Sequence, residues 1–119
     1  MLPTRKWTLD EARAALPGII EITEHAHERS RQLQQHLTKG IRPENEQEGL
    51  EDELERVLTQ WVEAVQSMGA EVKQLWLVDF DNGRGYYCWQ YGESDLLYEH
   101  SYEGGFAARK RITTEDQPS

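Results

Sequence analysis

Four residues in the last third of the chain carry side chains that bind metals or move protons: Asp79, Cys88, Glu93 and His100. Thiolate, imidazole and carboxylate are the donors that zinc and related divalent ions accept. No CxxC or HxH pair sets a ligand spacing, so strands must bring these groups together. Adjacent strands would place Asp79 beside Cys88, with His100 one strand further. Set against this are three structural roles: Cys88 as a small buried apolar group, Glu93 at a turn and Asp79 bonded to backbone. Cys88 with His100 as base is also a nucleophile pair, a chemistry that needs hydrogen-bond reach and a lowered thiol pKa.

An overlapping set, Asp79, Arg84, Glu93 and Arg109, has the charges to hold a small ligand. Gly104-Gly105-Phe106 followed by Arg109-Lys110-Arg111 offers backbone amides and cations to a small anion. Neither GxxxxGK[ST] nor GxGxxG occurs. Further upstream, Glu24 and His27 have the Glu-x-x-His spacing of carboxylate-bridged di-iron bundles, but their register puts them on the flank of a helix.

Asp79 alternates with Leu75 and Leu77 and so shares their face. A buried carboxylate there needs a partner. Arg84, Arg109, the Gly92 turn amides and the Tyr87 hydroxyl are the candidates.

The elements that position these groups follow from periodicity. Thr8 and Glu11 form a capping-box pattern, with Trp7 before the cap. Leu9, Ala12, Leu16, Ile19, Thr23, Ala26, Ser30, Leu33 and Leu37 then step by three and four, the seam of an amphipathic helix. Pro17 predicts a short helix to about Leu16, a kink, and a long helix to about Thr38. Lys39 to Pro43 is a stop and a turn. The acidic run Glu44–Glu55 is partly loop and partly the first turns of a second helix, which carries Leu50, Leu54, Val57, Trp61, Ala64 and Met68 and ends at Gly69.

Beyond Gly69 the period becomes two. Strands are predicted around Leu75–Phe80, Tyr86–Tyr91 and Leu96–His100, with Phe106–Ile112 a fourth strand or an extended segment. Asp81-Asn82-Gly83 and Gly92-Glu93-Ser94-Asp95 are the turns. The expected fold is α+β: a kinked long helical hairpin (8–68) packed on a small antiparallel β-meander of three or four strands (69–112). This makes one domain over 1–112 and a flexible tail over 113–119. Trp76, Trp89, Tyr86, Tyr87, Tyr91, Tyr98 and Tyr102 exceed what one face of a small sheet can hide, so some should form a partner surface.

At 119 residues the chain can bury a core without staples. A net charge of -9 weighs against nucleic acid and against anionic membranes as partners. The single cysteine fits a reducing compartment. The N-terminus has no apolar h-region and no run is long enough to span a bilayer, so a cytoplasmic location is expected.

Trp7-Thr8, Glu11-Ala12 and Leu16-Pro17 resemble the opening of a family of small uncharacterised prokaryotic proteins catalogued as a domain of unknown function. Val72-Lys73, Leu77-Val78-Asp79-Phe80, Gly83-Arg84, Cys88-Trp89, Gly92-Glu93, His100, Gly105-Phe106 and Arg109 resemble that family's pattern in the same order. The departures are Trp7 for a usual Phe, Tyr87 for a usual Leu, and Glu99 for a usual Trp. The resemblance implies one coherent fold and no particular activity. Two functions then compete. One is a non-enzymatic interaction or assembly module, homo-oligomeric and open to a protein partner. The alternative is a small metal-dependent or anion-binding enzyme with its site on the meander and a divalent metal as cofactor.

Overall fold

Thr8 accepts a hydrogen bond from the Glu11 amide at 3.1 Å, and Glu11 accepts one from the Thr8 amide at 2.9 Å. This reciprocal cap starts α1, Leu9–Leu37, in the computed structural model, which describes residues 5–113. The expected tail therefore lies, apart from Thr113, outside the described residues.

The α1 seam falls where the three-four pattern puts it: Leu9, Ala12, Leu16, Ile19, Thr23, Ser30 and Leu33 are buried. Pro17 does not end the helix. It lies inside α1 and is exposed, while Leu16 and Ile19 on either side are held in the core. A missing backbone bond on the solvent side costs less than exposing those two side chains. Gly40, at φ 67, turns the chain, and the Arg42 guanidinium bonds the carbonyls of His36 and Lys39. α2, Glu44–Ser67, begins directly after Pro43, so the acidic run is helix throughout and not partly loop. Its first carboxylates sit where the helix dipole favours them. The Trp61 indole donates to the Thr23 hydroxyl at 2.8 Å and pins α2 to α1.

Gly69, at φ 92, lets the chain leave α2 and enter a five-stranded antiparallel meander in sequence order. The strands are β1 (Glu71–Gln74), β2 (Leu77–Asp81), β3 (Gly85–Gln90), β4 (Tyr98–Ser101) and β5 (Lys110–Arg111), with a short 3-10 turn at Phe106–Ala108. This is one strand more than the three or four expected. Leu75-Trp76, expected to open the first strand, form a turn in which Trp76 adopts φ 67, and the additional strand, β1, precedes them. The Trp76 ring packs on Trp61 at 4.9 Å and His27 at 5.1 Å, contacts that hold a bulky residue in a left-handed conformation it would otherwise avoid. Leu75 is 49% exposed and does not share a buried face with Asp79.

The two sheet faces differ in chemistry. Val78, Phe80, Tyr87 and Trp89 join Trp7, Leu16, Ile19, Trp61, Val65 and Leu96 in the core under the helices. Leu77, Asp79, Tyr86, Cys88 and His100 alternate with them onto the outer face. Every residue of β2, those on the outer face included, is nevertheless buried. Among the described residues no helix is long and apolar enough to cross a membrane.

Candidate metal centre

The register that buries Phe80 and Trp89 on one side forces Asp79 and Cys88 to the other, directly opposite each other on β2 and β3. On β4, His100 pairs with Tyr86, two residues before Cys88 and on the same face. One donor atom from each of Asp79, Cys88 and His100 lies within 4.8 Å of the other two, and all three residues are buried. Gly85 permits this. A Cβ at that position would stand 2.3 Å from the His100 carbonyl oxygen, so only glycine lets β4 lie this close to β3.

The His100 ring has a defined polarity. Its Nδ1 lies 2.7 Å from the Ser101 carbonyl oxygen, which can only accept, so Nδ1 carries the proton. A neutral imidazole then presents the Nε2 lone pair to Asp79 Oδ2 at 3.1 Å. Two acceptors face each other in a buried site unless a proton or a cation joins them. Asp79 Oδ1 is also buried and has no hydrogen-bond partner among the described residues. Burial pushes the Asp79 carboxyl up from its ordinary value, against the pull of the Cys88 thiol and of His100. Burial likewise drives the Cys88 thiol far up, and Asp79 adds to it. A thiol so placed is a poor free nucleophile. As a metal ligand it would be deprotonated by the ion itself.

Asp81, two residues along the same face, shows the contrast. Burial works against its charge, but Lys6 at 2.9 Å, the Tyr102 hydroxyl at 2.6 Å and the Gly83 amide at 2.9 Å outweigh it and hold the carboxyl below the usual range. Asp81 is fully partnered, whereas Asp79 is not.

Glu93 does not join the trio. Its carboxylate accepts from the Gln90 amide at 2.8 Å and pairs with Arg109, whose guanidinium stacks on Tyr98 at 4.0 Å. Of the expected ligand-holding set, Glu93 and Arg109 therefore meet each other rather than Asp79. Arg84 is exposed in the β2–β3 turn, and Tyr87 packs in the core, so neither is the partner of Asp79. That partner is His100. His27 stacks on Tyr91 at 4.3 Å and Glu24 is exposed, so the Glu-x-x-His pair is not drawn into a bundle core. Of the aromatics expected to exceed one face, Trp89 and Tyr87 are buried and Tyr102 is exposed; Phe106, outside that set, is exposed too.

Sequence reasoning missed three contributors. The Ser101 carbonyl fixes the tautomer, Gly85 allows the close strand approach, and Tyr86, Tyr102 and Phe106 line a pocket of about 370 Å³ with Asp79 and His100. The glycine after the Asn-Gly-Arg turn was the one readable signal.

Residues 5–112 match the family model DUF2203, described as an uncharacterized conserved protein. The chain belongs to that family. No curated protein and no solved structure matches the chain.

Proposed function

We propose that this member of the DUF2203 family is a metal-binding domain whose ion, of the zinc class, is held by Asp79, Cys88 and His100. The observation that carries the reading is the buried cluster itself: His100 Nε2 aimed at Asp79 with Nδ1 bonded to a carbonyl, an Asp79 Oδ1 with no hydrogen-bond partner among the described residues, and a thiol completing the set. A mixed S, N, O donor set suits zinc, cobalt or iron(II) and is unsuited to magnesium or calcium. The Nδ1–H to carbonyl bond is the outer-shell contact that orients a metal-binding histidine. Tetrahedral donors around zinc stand about 3.4–3.7 Å apart, given metal–ligand distances of about 2.0–2.3 Å. Side-chain adjustments on the order of 1 Å would close the trio on an ion. Glu93 pairs with Arg109, so the proposed ligand set is Asp79, Cys88 and His100.

The test is elemental analysis of protein purified without an affinity tag, joined to zinc titration of chelator-stripped chain. Near-stoichiometric metal and a zinc-dependent rise in Tm are expected. No bound metal together with no zinc response would overturn the reading.

A second reading, a homo-oligomeric assembly module in the cytoplasm, has its own support. The molecule is 60 Å long and 28 Å across, because the hairpin outruns the sheet. Only Trp61 and Val65 of α2 are buried, leaving Leu50, Leu54, Val57 and Leu58 half-buried. A second hairpin packed on that stripe would complete a four-helix bundle. Light scattering at micromolar concentration should give a dimer mass, and a clean monomer would remove the reading. The net charge of -9 keeps nucleic acid and anionic membranes as disfavoured partners.

A further inference from the structure

We infer that the ion at Asp79, Cys88 and His100 keeps one coordination position open to the adjoining pocket, and that this position takes an oxygen-donor ligand with a flat aromatic body. The inference rests on the metal-binding reading above and deepens it.

The three donors come from three adjacent strands and one face of the sheet. The backbone of β2, β3 and β4 therefore closes the hemisphere beneath an ion at that point. A coordination position not filled by these donors would face away from the sheet. Asp79 and His100 form part of the wall of the 370 Å³ pocket on that side, a volume suited to a small organic ligand. Among the described residues only Asp79, Cys88 and His100 bring metal-ligating atoms together; Glu103 also lines the pocket but is not part of that group. Glu93 is paired with Arg109, and the Tyr102 hydroxyl is committed to Asp81. Three protein ligands and an open position characterise exchangeable, reactive zinc sites, whereas structural sites close with four.

The pocket wall specifies the rest of the ligand. Leu77 and Tyr86 line its interior, and Tyr102 and Phe106, 45% and 40% exposed, line it with large apolar surface facing solvent. Tyr86 and Tyr102 meet edge-on at 5.2 Å, Lys73 lies over the Tyr86 ring and Arg109 over the Phe106 ring, so a stacked ligand would use the faces these contacts leave. Lys73 sits over the Tyr86 ring at 4.8 Å and is already paired with Glu71, so the oxygen donor is directed to the metal rather than to a free cation.

Cobalt(II) substitution of the stripped full-length chain separates the two claims. Visible absorption with a thiolate-to-cobalt charge-transfer band reports the centre itself. Benzohydroxamate and acetohydroxamate are then titrated as oxygen donors with and without the ring. The expected result is a change in the cobalt bands with both, at least about tenfold tighter for the aromatic one, a gain of the size that ring stacking and burial supply. Phe106→Ala should shrink that ratio and leave cobalt affinity unchanged. Cobalt bands that neither hydroxamate moves would mean a closed structural centre, overturning this inference while the metal-binding reading stands. Equal affinity for the two hydroxamates would overturn the assigned ligand class. Failure to bind cobalt would overturn both.

Discussion

His100 Nε2 lies 3.1 Å from Asp79 Oδ2, while His100 Nδ1 donates to the Ser101 carbonyl at 2.7 Å. The second contact decides the meaning of the first. With Nδ1 bonded to that carbonyl, Nε2 is the ring nitrogen that faces the carboxylate, and a proton or a cation must lie between them. Exchanging the carboxylate for an amide tests this directly. Asp79→Asn offers His100 an N–H donor, so the metal-free protein should keep its stability to within about 1 kcal/mol, whereas Asp79→Ala should cost about 1–3 kcal/mol. Both should lose the zinc-dependent stabilisation. Urea unfolding with chelator and with zinc reads all four quantities. An unimpaired zinc response in Asp79→Asn would remove Asp79 from the ligand set.

Gly85 is the tightest backbone contact next to the centre. Gly85→Ala puts a methyl 2.3 Å from the His100 carbonyl oxygen, which is backbone and cannot swing away. Strand β4 must shift. Overpacking of this kind costs about 1–3 kcal/mol, and here it should also weaken zinc binding by displacing His100. Thermal unfolding and zinc titration of the same variant check the two effects. Full zinc affinity in a destabilised protein would show that the centre tolerates the shift.

The Trp61–Thr23 bond at 2.8 Å is the buried polar tie between the helices. Trp61→Phe leaves the Thr23 hydroxyl without its donor and should cost about 1–3 kcal/mol from that loss, beyond the packing change. Thr23→Val in the Trp61→Phe background should recover part of the loss. A double-mutant cycle by urea denaturation measures the coupling, and additive single effects would refute it.

At the start of α1, the backbone bond from Thr8 holds the Glu11 carboxyl below its usual value; burial opposes this, and Arg5 adds to the lowering. A folded pKa below the unfolded one gives stability that is present above the unfolded value. It is lost as pH falls through the folded one. Wild-type protein should therefore lose stability below about pH 4.3, the ordinary glutamate value. Glu11→Gln should show a shallower acid limb in Tm against pH. Identical limbs would show that the cap contributes no pH dependence.

The seam of α1 was legible because a helix repeats every 3.6 residues, so Leu9 through Leu33 announce their common face without reference to anything distant. The Thr8–Glu11 cap was legible for the same reason, its partners being three residues apart. The alternation over Tyr86–Tyr91 likewise fixed Tyr87 and Trp89 on one face and Cys88 on the other, and the list of candidate ligands already held Asp79, Cys88 and His100. What the chain could not announce was which candidates meet. Glu93 and His100 were both candidates, Glu93 with a turn role as its alternative, yet pairing across β3 and β4 carries His100 to Asp79, while the turn after β3 commits Glu93 to Arg109. Leu75-Trp76 continued a strand by alternation, but the rings of Trp61 and His27, contributed by two helices, and the Tyr91 amide bonded to its carbonyl meet Trp76 in a turn. Local spacing sets which way a side chain points. Long-range strand register and the packing of distant rings set what it finds there, because those contacts join residues with no fixed separation in sequence.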